Sequence, residues 1–223
     1  MDGVKYKFGL YRDKSGGHDP MPRSRGISIA DDKKEDSGPP IFECAEFEPS
    51  DGQRSSEKAL GDILLQRVSR GLVERHNLPH GSISIVRKNG PRVDGTDSIH
   101  LSLAHTNGFV CAVASLEPIG IDCERVRSFS PALRRKFLNQ AEVESLGEMN
   151  DATLTKVWCS KEAVSKAVGL GLGVDLRKVI IESVASRWCA GVAEMDRRFA
   201  LTFIFKKDII IAIAEGSTAS SKR

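Results

Sequence analysis

Two acidic residues within a short apolar run are the first sign of chemistry in this chain. Residues 119–126 read IGIDCERV, a composition that predicts a strand. Successive side chains of a strand point to opposite faces, so Asp122 and Glu124 share one face while Cys123 lies on the other. Adjacent carboxylates repel each other, and a hard divalent cation relieves that repulsion. The pair indicates either a metal site or two acids at a strand end that face water.

A second group of reactive side chains lies on a predicted helix over residues 154–168. Trp158, Glu162 and Lys166 are four residues apart and therefore share one helix face. Lys161 lies about 100° further around the helix axis. A Glu and a Lys at this spacing usually form a solvated ion pair of small energy, so this feature alone carries no function.

The elements around these residues form two similar series. A helix is predicted from residue 56, because its apolar residues form one stripe. Strands at 82–86, 99–103 and 109–116 follow it. The second series has a strand at 119–123, helices at 130–138, 141–149 and 154–168, and strands at 179–184, 199–205 and 209–214. The stripe of the first helix consists of Leu60, Ile63, Leu64, Val68, Leu72 and Val73.

This pattern predicts an α+β fold of two similar lobes, each a long helix packed on a small, mainly antiparallel sheet. We expect the first lobe to span residues 1–117 and the second residues 118–223. The segments GFVCAVAS (108–115) and DIIIAIAE (208–215) are similar. Either gene duplication or convergent strand composition explains that similarity.

Residues 12–40 differ from the rest of the first lobe. Twelve of these 29 residues are Gly, Pro or Ser, and none is aromatic. Six consecutive charged residues, DDKKED, occupy positions 31–36. Such a segment buries little apolar surface, so we predict a mobile loop.

Composition excludes several classes of protein. The chain has 223 residues, 40% of them hydrophobic and 28% charged, with a net charge of +3. That charge is too small to favour nucleic-acid binding. The five cysteines include no CxxC pair, which argues against a zinc site and favours buried thiols. The longest aliphatic run, residues 209–214, is too short to cross a membrane, and residues 1–10 do not read as a secretory signal. We expect a cytoplasmic protein.

The order of the motifs resembles the 4'-phosphopantetheinyl transferases, in their larger, two-lobed, surfactin-synthetase-activating type. The resemblance is strong over residues 99–175, weaker over 47–98 and absent over 13–46. It implies an active site between the two lobes. The matching stretches are GIDCE at 120–124, WCSKEAVSK at 158–166, LSLAHT at 101–106, LGDIL at 60–64 and the opening strand at 4–12.

The resemblance implies transfer of the 4'-phosphopantetheine group from coenzyme A to a serine of an acyl or peptidyl carrier protein, with release of adenosine 3',5'-bisphosphate. It also implies that Asp122, Glu124 and Glu162 bind Mg²⁺, for which Mn²⁺ is a candidate replacement. Lys166 would offset charge on the departing phosphate, and Lys161 would hold another phosphate oxygen. The pyrophosphate that the resemblance implies would be repelled by these three acids without a metal.

The general base has two candidates. Glu162 is one. Glu142, in the sequence QAE at 140–142, is the other by resemblance, although it also reads as a helix-start carboxylate favoured by the helix dipole. His105 would contact the 3'-phosphate of coenzyme A, or else is a histidine satisfied at a strand end. Thr106 follows it and is a further binding candidate.

The sequence departs from the family in the first lobe. Glu46 stands where the family commonly has a basic residue. Arg54 is a candidate phosphate contact, and Arg92 is another, in a Gly-Pro-Arg turn whose order is inverted. Ala104 replaces a common serine. These changes leave an alternative open: the protein is a degenerate relative of the family that binds coenzyme A or a carrier protein but does not catalyse transfer.

A basic stretch beside the acidic strand suggests the partner surface. Carrier proteins present an acidic helix, so this stretch would steer docking, unless it is only a solvated helix face. We expect a monomer that binds neither nucleic acid nor membranes. The basic residues are Arg125, Arg127, Arg134, Arg135 and Lys136.

Overall fold

The computed structural model describes most of the two predicted lobes. The predicted mobile loop lies outside the described residues except for its last three positions. No described helix is both long enough and apolar enough to cross a membrane. The described residues are 7–10, 38–48, 53–79, 83–87, 90–169, 175–184, 187–193 and 195–216.

The first lobe is a six-stranded antiparallel sheet covered by one long helix. The strand order is β1-β2-β6-β5-β4-β3, with neighbouring strands antiparallel. Its elements are β1 (Lys7–Leu10), β2 (Ile41–Glu46), α1 (Gln53–Arg75), β3 (Ile85–Val86), β4 (Arg92–Val93), β5 (His100–Thr106) and β6 (Phe109–Ser115).

The second lobe is a five-stranded antiparallel sheet with three helices between its first two strands in the chain. The strand order is β7-β11-β10-β9-β8. A 3-10 turn at Leu176–Lys178 precedes β8. The other elements are β7 (Ile119–Arg125), α2 (Pro131–Phe137), α3 (Gln140–Ser145), α4 (Asp151–Val168), β8 (Val179–Val184), β9 (Arg187–Val192), β10 (Arg198–Lys206) and β11 (Ile209–Gly216).

The two lobes have the same topology. In each, a first strand leads through helix to four further strands, and the last strand returns beside the first. The order β2-β6-β5-β4-β3 therefore corresponds to β7-β11-β10-β9-β8, with β1 as an additional edge strand. The similar segments at 108–115 and 208–215 form the corresponding strands β6 and β11. The predicted α+β fold of two similar lobes is confirmed, and the shared topology supports duplication.

The apolar residues form three clusters that separate four layers: α1, the first sheet, the second sheet and α4. One cluster lies between α1 and its sheet, one between the second sheet and its helices, and one between the two sheets. In β6, Val110 packs toward α1 while Cys111 packs toward the other sheet. Because β6 and β11 are covered on both faces, they are apolar along nearly their whole length rather than alternating.

The structure differs from the predicted elements at three strands and one helix face. Strands β2, β4 and β9 were not predicted. Glu43, in the middle of β2, is only 7% exposed and accepts a hydrogen bond from Arg67 of α1. Ile63 was placed on the buried stripe of α1 but is 45% exposed, whereas Leu65 is fully buried. The five cysteines are free thiols, and four of them are buried.

Candidate active site

Strand β7 presents the two acidic residues to α4. Ile121 and Cys123 are buried in the cluster between the sheets, at 0% and 1% exposure. Asp122 and Glu124 are only partly buried and lie on the opposite face. The alternation predicted for this strand is therefore present. The inter-sheet cluster fixes which face of β7 carries the carboxylates.

Gly120 determines how closely α4 approaches β7. A Cβ atom at this position would lie 1.9 Å from the carbonyl oxygen of Ala163 and 2.7 Å from the amide nitrogen of Ala167. Both contacts are to the backbone of α4, which no rotamer change can relieve. Because glycine has no Cβ atom, α4 can pack against β7 closely enough to bring Glu162 and Lys166 near Asp122.

The Lys166 ammonium joins α4 to both lobes. Its Nζ donates to Asp122 Oδ1 at 2.8 Å, to the Ile121 carbonyl at 2.9 Å and to the Leu103 carbonyl at 3.4 Å. Leu103 belongs to β5 of the first lobe, and the other two residues belong to β7. Burial lowers the pKa of Lys166, but the charge and hydrogen bond of Asp122 raise it above its usual value.

The three carboxylates are close enough to perturb one another. Burial raises the pKa of Glu124, and the charge of Asp122 raises it further. Burial and then Asp122 likewise raise the pKa of Glu162, while Lys166 opposes the rise. The pKa of Asp122 is raised by burial in spite of Lys166. Burial is thus the largest cause of each rise, and the repulsion of Glu124 and Glu162 by Asp122 is the part that a cation would relieve.

The donor set suits a hard divalent cation, but the side chains do not converge as metal ligands. Carboxylate oxygens are the donors that Mg²⁺ prefers. Among the residues that the structure describes, however, no three His, Cys, Asp or Glu side chains form a group able to hold a metal ion. One oxygen of Asp122 is instead bonded to the Lys166 ammonium.

Lys161 and Glu142 form a buried ion pair rather than part of the open site. Both side chains are 0% exposed, and Lys161 Nζ lies 2.8 Å from the Glu142 carboxylate. The same ammonium donates to the carbonyls of Leu176, at 3.0 Å, and Val179, at 2.7 Å. Burial lowers the pKa of Lys161, and Glu142 opposes that shift.

The remaining bonds of Glu142 are also structural. One carboxylate oxygen accepts from the Ile181 amide at 2.9 Å, and the other accepts from the Asn139 amide at 3.0 Å, completing a capping box at the start of α3. This burial argues against the predicted phosphate contact of Lys161 and the predicted base role of Glu142. The pair ties α3 and α4 to β8, and neither group reaches solvent.

The predicted coenzyme A contacts lie on elements of the first lobe. His105, at the end of β5, has a side chain 58% exposed, with Nδ1 3.6 Å from a carboxylate oxygen of Glu57 in α1. Thr106 is partly buried beside it, and Arg54 is exposed in the first turn of α1. The structure does not bring Arg54 and Lys161 together, because Lys161 is enclosed in the second lobe.

A cleft of about 380 Å³ lies where the two lobes meet. Arg92 and His100 line it from the first lobe, and Lys166 and Arg197 line it from the second. Lys166 thus borders both the cleft and the carboxylates. Arg197 and His100 were not predicted, because nothing in their local sequence distinguishes them from other surface residues.

Only part of the basic stretch is available to a partner. Arg125 donates to both carboxylate oxygens of Asp208 in the second lobe, at 2.6 and 2.7 Å, and to the Asn107 carbonyl of the first lobe at 2.9 Å. Its guanidinium group therefore connects the two lobes. Arg134 donates to the Phe129 carbonyl at 2.9 Å.

Two further residues of the basic stretch are exposed. Arg135 and Lys136 line a second cleft, of about 440 Å³, beside Trp158. Arg127 lies between this surface and the acids, with its guanidinium 3.9 Å from Glu124 and over the ring of Phe129. The charged surface is therefore smaller than the sequence predicts.

Known proteins resemble the chain in this region. Residues 118–214 match the model of the 4'-phosphopantetheinyl transferase superfamily. The 4'-phosphopantetheinyl transferase gsp of Aneurinibacillus migulanus is 27% identical over 130 residues, covering 55% of this chain and 52% of that protein. The 4'-phosphopantetheinyl transferase Sfp of Bacillus subtilis (strain 168) is 24% identical over 176 residues, 76% of this chain and 72% of Sfp.

A shorter relative is matched almost completely. The holo-[acyl-carrier-protein] synthase of Campylobacter fetus subsp. fetus (strain 82-40) is 30% identical over 106 residues, which cover 45% of this chain and 92% of that protein. The alignments with the gsp and ffp transferases span about half the length of each of those relatives. With a two-lobed fold of the larger, Sfp-like type, the chain belongs to the 4'-phosphopantetheinyl transferase superfamily.

Proposed function

We propose that this protein transfers the 4'-phosphopantetheine group from coenzyme A to a serine of an acyl or peptidyl carrier protein and releases adenosine 3',5'-bisphosphate. The observation that carries the proposal is a group of three partly buried carboxylates, Asp122, Glu124 and Glu162, beside the Lys166 ammonium, which contacts both lobes. The names of the relatives support the same reaction.

The carboxylates are the proposed metal ligands. Mg²⁺ held by Asp122, Glu124 and Glu162 would neutralise and orient the pyrophosphate of coenzyme A, and Mn²⁺ has the same donor preference. Phosphoryl transfer depends mainly on such positioning and charge neutralisation.

Glu162 is the proposed general base. It is partly buried and lies near Asp122 and Lys166, where its carboxylate could accept the proton of the carrier serine directly or through a water molecule. Glu142 holds no such position, because its side chain is fully buried and its oxygens already accept three hydrogen bonds. We assign Glu142 and Lys161 to positioning α4.

Coenzyme A would lie in the cleft between the lobes. Arg92 and Arg197 border that cleft and offer guanidinium groups to phosphate oxygens. His105, Thr106 and Arg54 would extend the phosphate contacts along the first lobe. Division of the chain into lobes 1–117 and 118–223 then gives each lobe one part of the site.

Arg135 and Lys136 are the proposed carrier contacts. Both are exposed on α2, and an acidic carrier helix would be steered toward them. We further propose a monomer, since one chain supplies both lobes, and a reducing, cytoplasmic environment, since the five cysteines are free.

Substitution of Glu162 tests the assignment directly. A Glu162→Gln variant keeps the size of the side chain and removes its charge, so transfer with Mg²⁺ should fall by at least about a hundredfold. The measurement is the rate of mass gain of an apo carrier, with urea unfolding as the control for folding. Retained transfer at the wild-type rate would remove Glu162 from the site.

A further inference from the structure

The Lys166 ammonium is fully committed in the ligand-free protein. An ammonium carries three protons, and Nζ of Lys166 has three acceptors: the Asp122 carboxylate at 2.8 Å, the Ile121 carbonyl at 2.9 Å and the Leu103 carbonyl at 3.4 Å. A phosphate oxygen can therefore be bound only if at least one of these bonds is given up.

The Lys166 ammonium lies at the carboxylates that we propose as metal ligands. Asp122 Oδ1 is one of the oxygens that we propose as metal ligands, and the Asp122 side chain is only 13% exposed. Glu124 and Glu162 add negative charge on the same side, and the guanidinium of Arg127 is 3.9 Å from Glu124. Lys166 thus supplies a positive charge where the carboxylate cluster would take a divalent cation.

We propose that Lys166 is an internal counter-ion that keeps the metal site closed until coenzyme A binds. This inference rests on the proposed function. A divalent cation would replace the ammonium at Asp122, and the displaced ammonium would turn to a phosphate oxygen in the adjoining cleft, which Lys166 already lines. No covalent bond changes in this exchange.

The exchange predicts reciprocal coupling between the two ligands. Metal binding frees Lys166 for the phosphate, and phosphate binding holds Lys166 away from Asp122, so each ligand raises the affinity for the other. Removal of the ammonium should have the opposite effects on the two steps: metal should bind more tightly in the absence of coenzyme A, and coenzyme A should bind less tightly.

The test is direct binding of Mn²⁺, followed by electron paramagnetic resonance without coenzyme A. Lys166→Met should lower the dissociation constant for Mn²⁺ by about tenfold, the usual scale of coupling between contacting charged groups. Lys207→Met is the matched control, because it removes the same charge from a side chain that is 83% exposed and 3.7 Å from Glu46. Equal or weaker Mn²⁺ binding by folded Lys166→Met would overturn the proposal.

A second measurement uses the wild-type protein, so that the proposal can be tested even if Lys166→Met does not fold. Acetylation of lysine amines, read by mass spectrometry, should be slow at Lys166 in the ligand-free protein and faster at saturating Mn²⁺. Labelling that is unchanged by saturating Mn²⁺ contradicts displacement of the ammonium.

The results that would overturn the counter-ion role of Lys166 can be distinguished from those that would overturn the proposed transferase function. A wild-type protein that modifies a carrier with Mg²⁺, but whose Lys166→Met variant binds Mn²⁺ no more tightly, overturns only the counter-ion. A folded wild-type protein that neither binds Mn²⁺ nor modifies any carrier overturns the transferase assignment and the counter-ion together.

Discussion

Gly120 of β7 lies so close to Ala163 of α4 that a Cβ atom on the glycine would be 1.9 Å from the alanine carbonyl oxygen. The helix that carries Glu162 and Lys166 therefore packs directly on the backbone of the strand that carries Asp122 and Glu124. The glycine of the GIDCE motif has a structural purpose, which is to set the distance between the two halves of the proposed metal site.

Substitution of this glycine should destabilise the protein. In Gly120→Ala the new methyl group meets backbone atoms, so α4 must move, and we expect the free energy of unfolding to fall by about 3 kcal/mol. Urea unfolding measures the change. Gly191→Ala is the matched control, because a Cβ atom there has no neighbour within 4 Å, although Gly191 also lies in a strand. Similar losses in the two variants would contradict the close-packing argument.

The buried pair of Lys161 and Glu142 should affect stability more strongly than most charges. Lys161→Met leaves the Glu142 carboxylate buried without its counter-ion, at an expected cost of about 3–5 kcal/mol. Adding Glu142→Leu removes the unpaired charge and should restore part of that stability. Urea unfolding of the single and double variants gives the coupling free energy.

The same double variant tests whether Glu142 is the base. If the pair only positions α4, the variant should keep the wild-type pH dependence of kcat, even if the rate is lower. Loss of the acidic limb of that profile would identify Glu142 as the proton acceptor instead of Glu162.

The stability of the metal-free protein should depend on pH through the carboxylate cluster. The pKa values of Glu124 and Glu162 are raised in the folded protein, chiefly by burial and then by Asp122. The folded state therefore binds more protons than the unfolded state just above the usual glutamate pKa, so the free energy of unfolding falls as pH rises through that window.

Glu162→Gln removes one of these groups and should flatten the decline. Urea unfolding from pH 4 to pH 8 in EDTA compares the variant with the wild-type protein, which should lose more stability over the range. Identical pH dependence in the two proteins would contradict the electrostatic account of the cluster.

Carrier docking should depend on the exposed basic residues of α2. Arg135→Glu places a like charge before an acidic partner, and we expect the KM for carrier to rise about fivefold with the KM for coenzyme A unchanged. Arg70→Glu is the control, because it makes the same change of charge at an exposed position of α1. Parallel increases in both KM values would argue against a docking role for Arg135.

The sequence was sufficient to predict the position of a side chain where the local periodicity of the strand or helix determines which face that side chain lies on. Asp122 and Glu124 lie on one face of β7 because the alternating residues Ile121 and Cys123 occupy the other face, between the two sheets. Glu162 and Lys166 follow the helical spacing of α4. The sequence was insufficient for Lys161, which reads as an exposed charge beside Glu162. Its partners Glu142, Leu176 and Val179 are 15 to 19 residues away, so only the tertiary fold shows that the ammonium is buried.

Strand β2 escaped prediction for a similar reason. Glu43 interrupts its apolar pattern, and the arginine that pairs with it lies 24 residues later, on α1. The two-lobed fold was easier to predict, since the two series of elements repeat in the chain and form sheets of the same strand order.

The central claim is tested most directly by the intact mass of apo carrier proteins after incubation with this protein, coenzyme A and Mg²⁺. We predict a gain equal to one phosphopantetheine group, which disappears with EDTA and with a carrier whose acceptor serine is replaced by alanine. A folded protein that binds coenzyme A or a carrier, yet adds no mass to any carrier, would contradict the transferase assignment and favour the binding-only alternative.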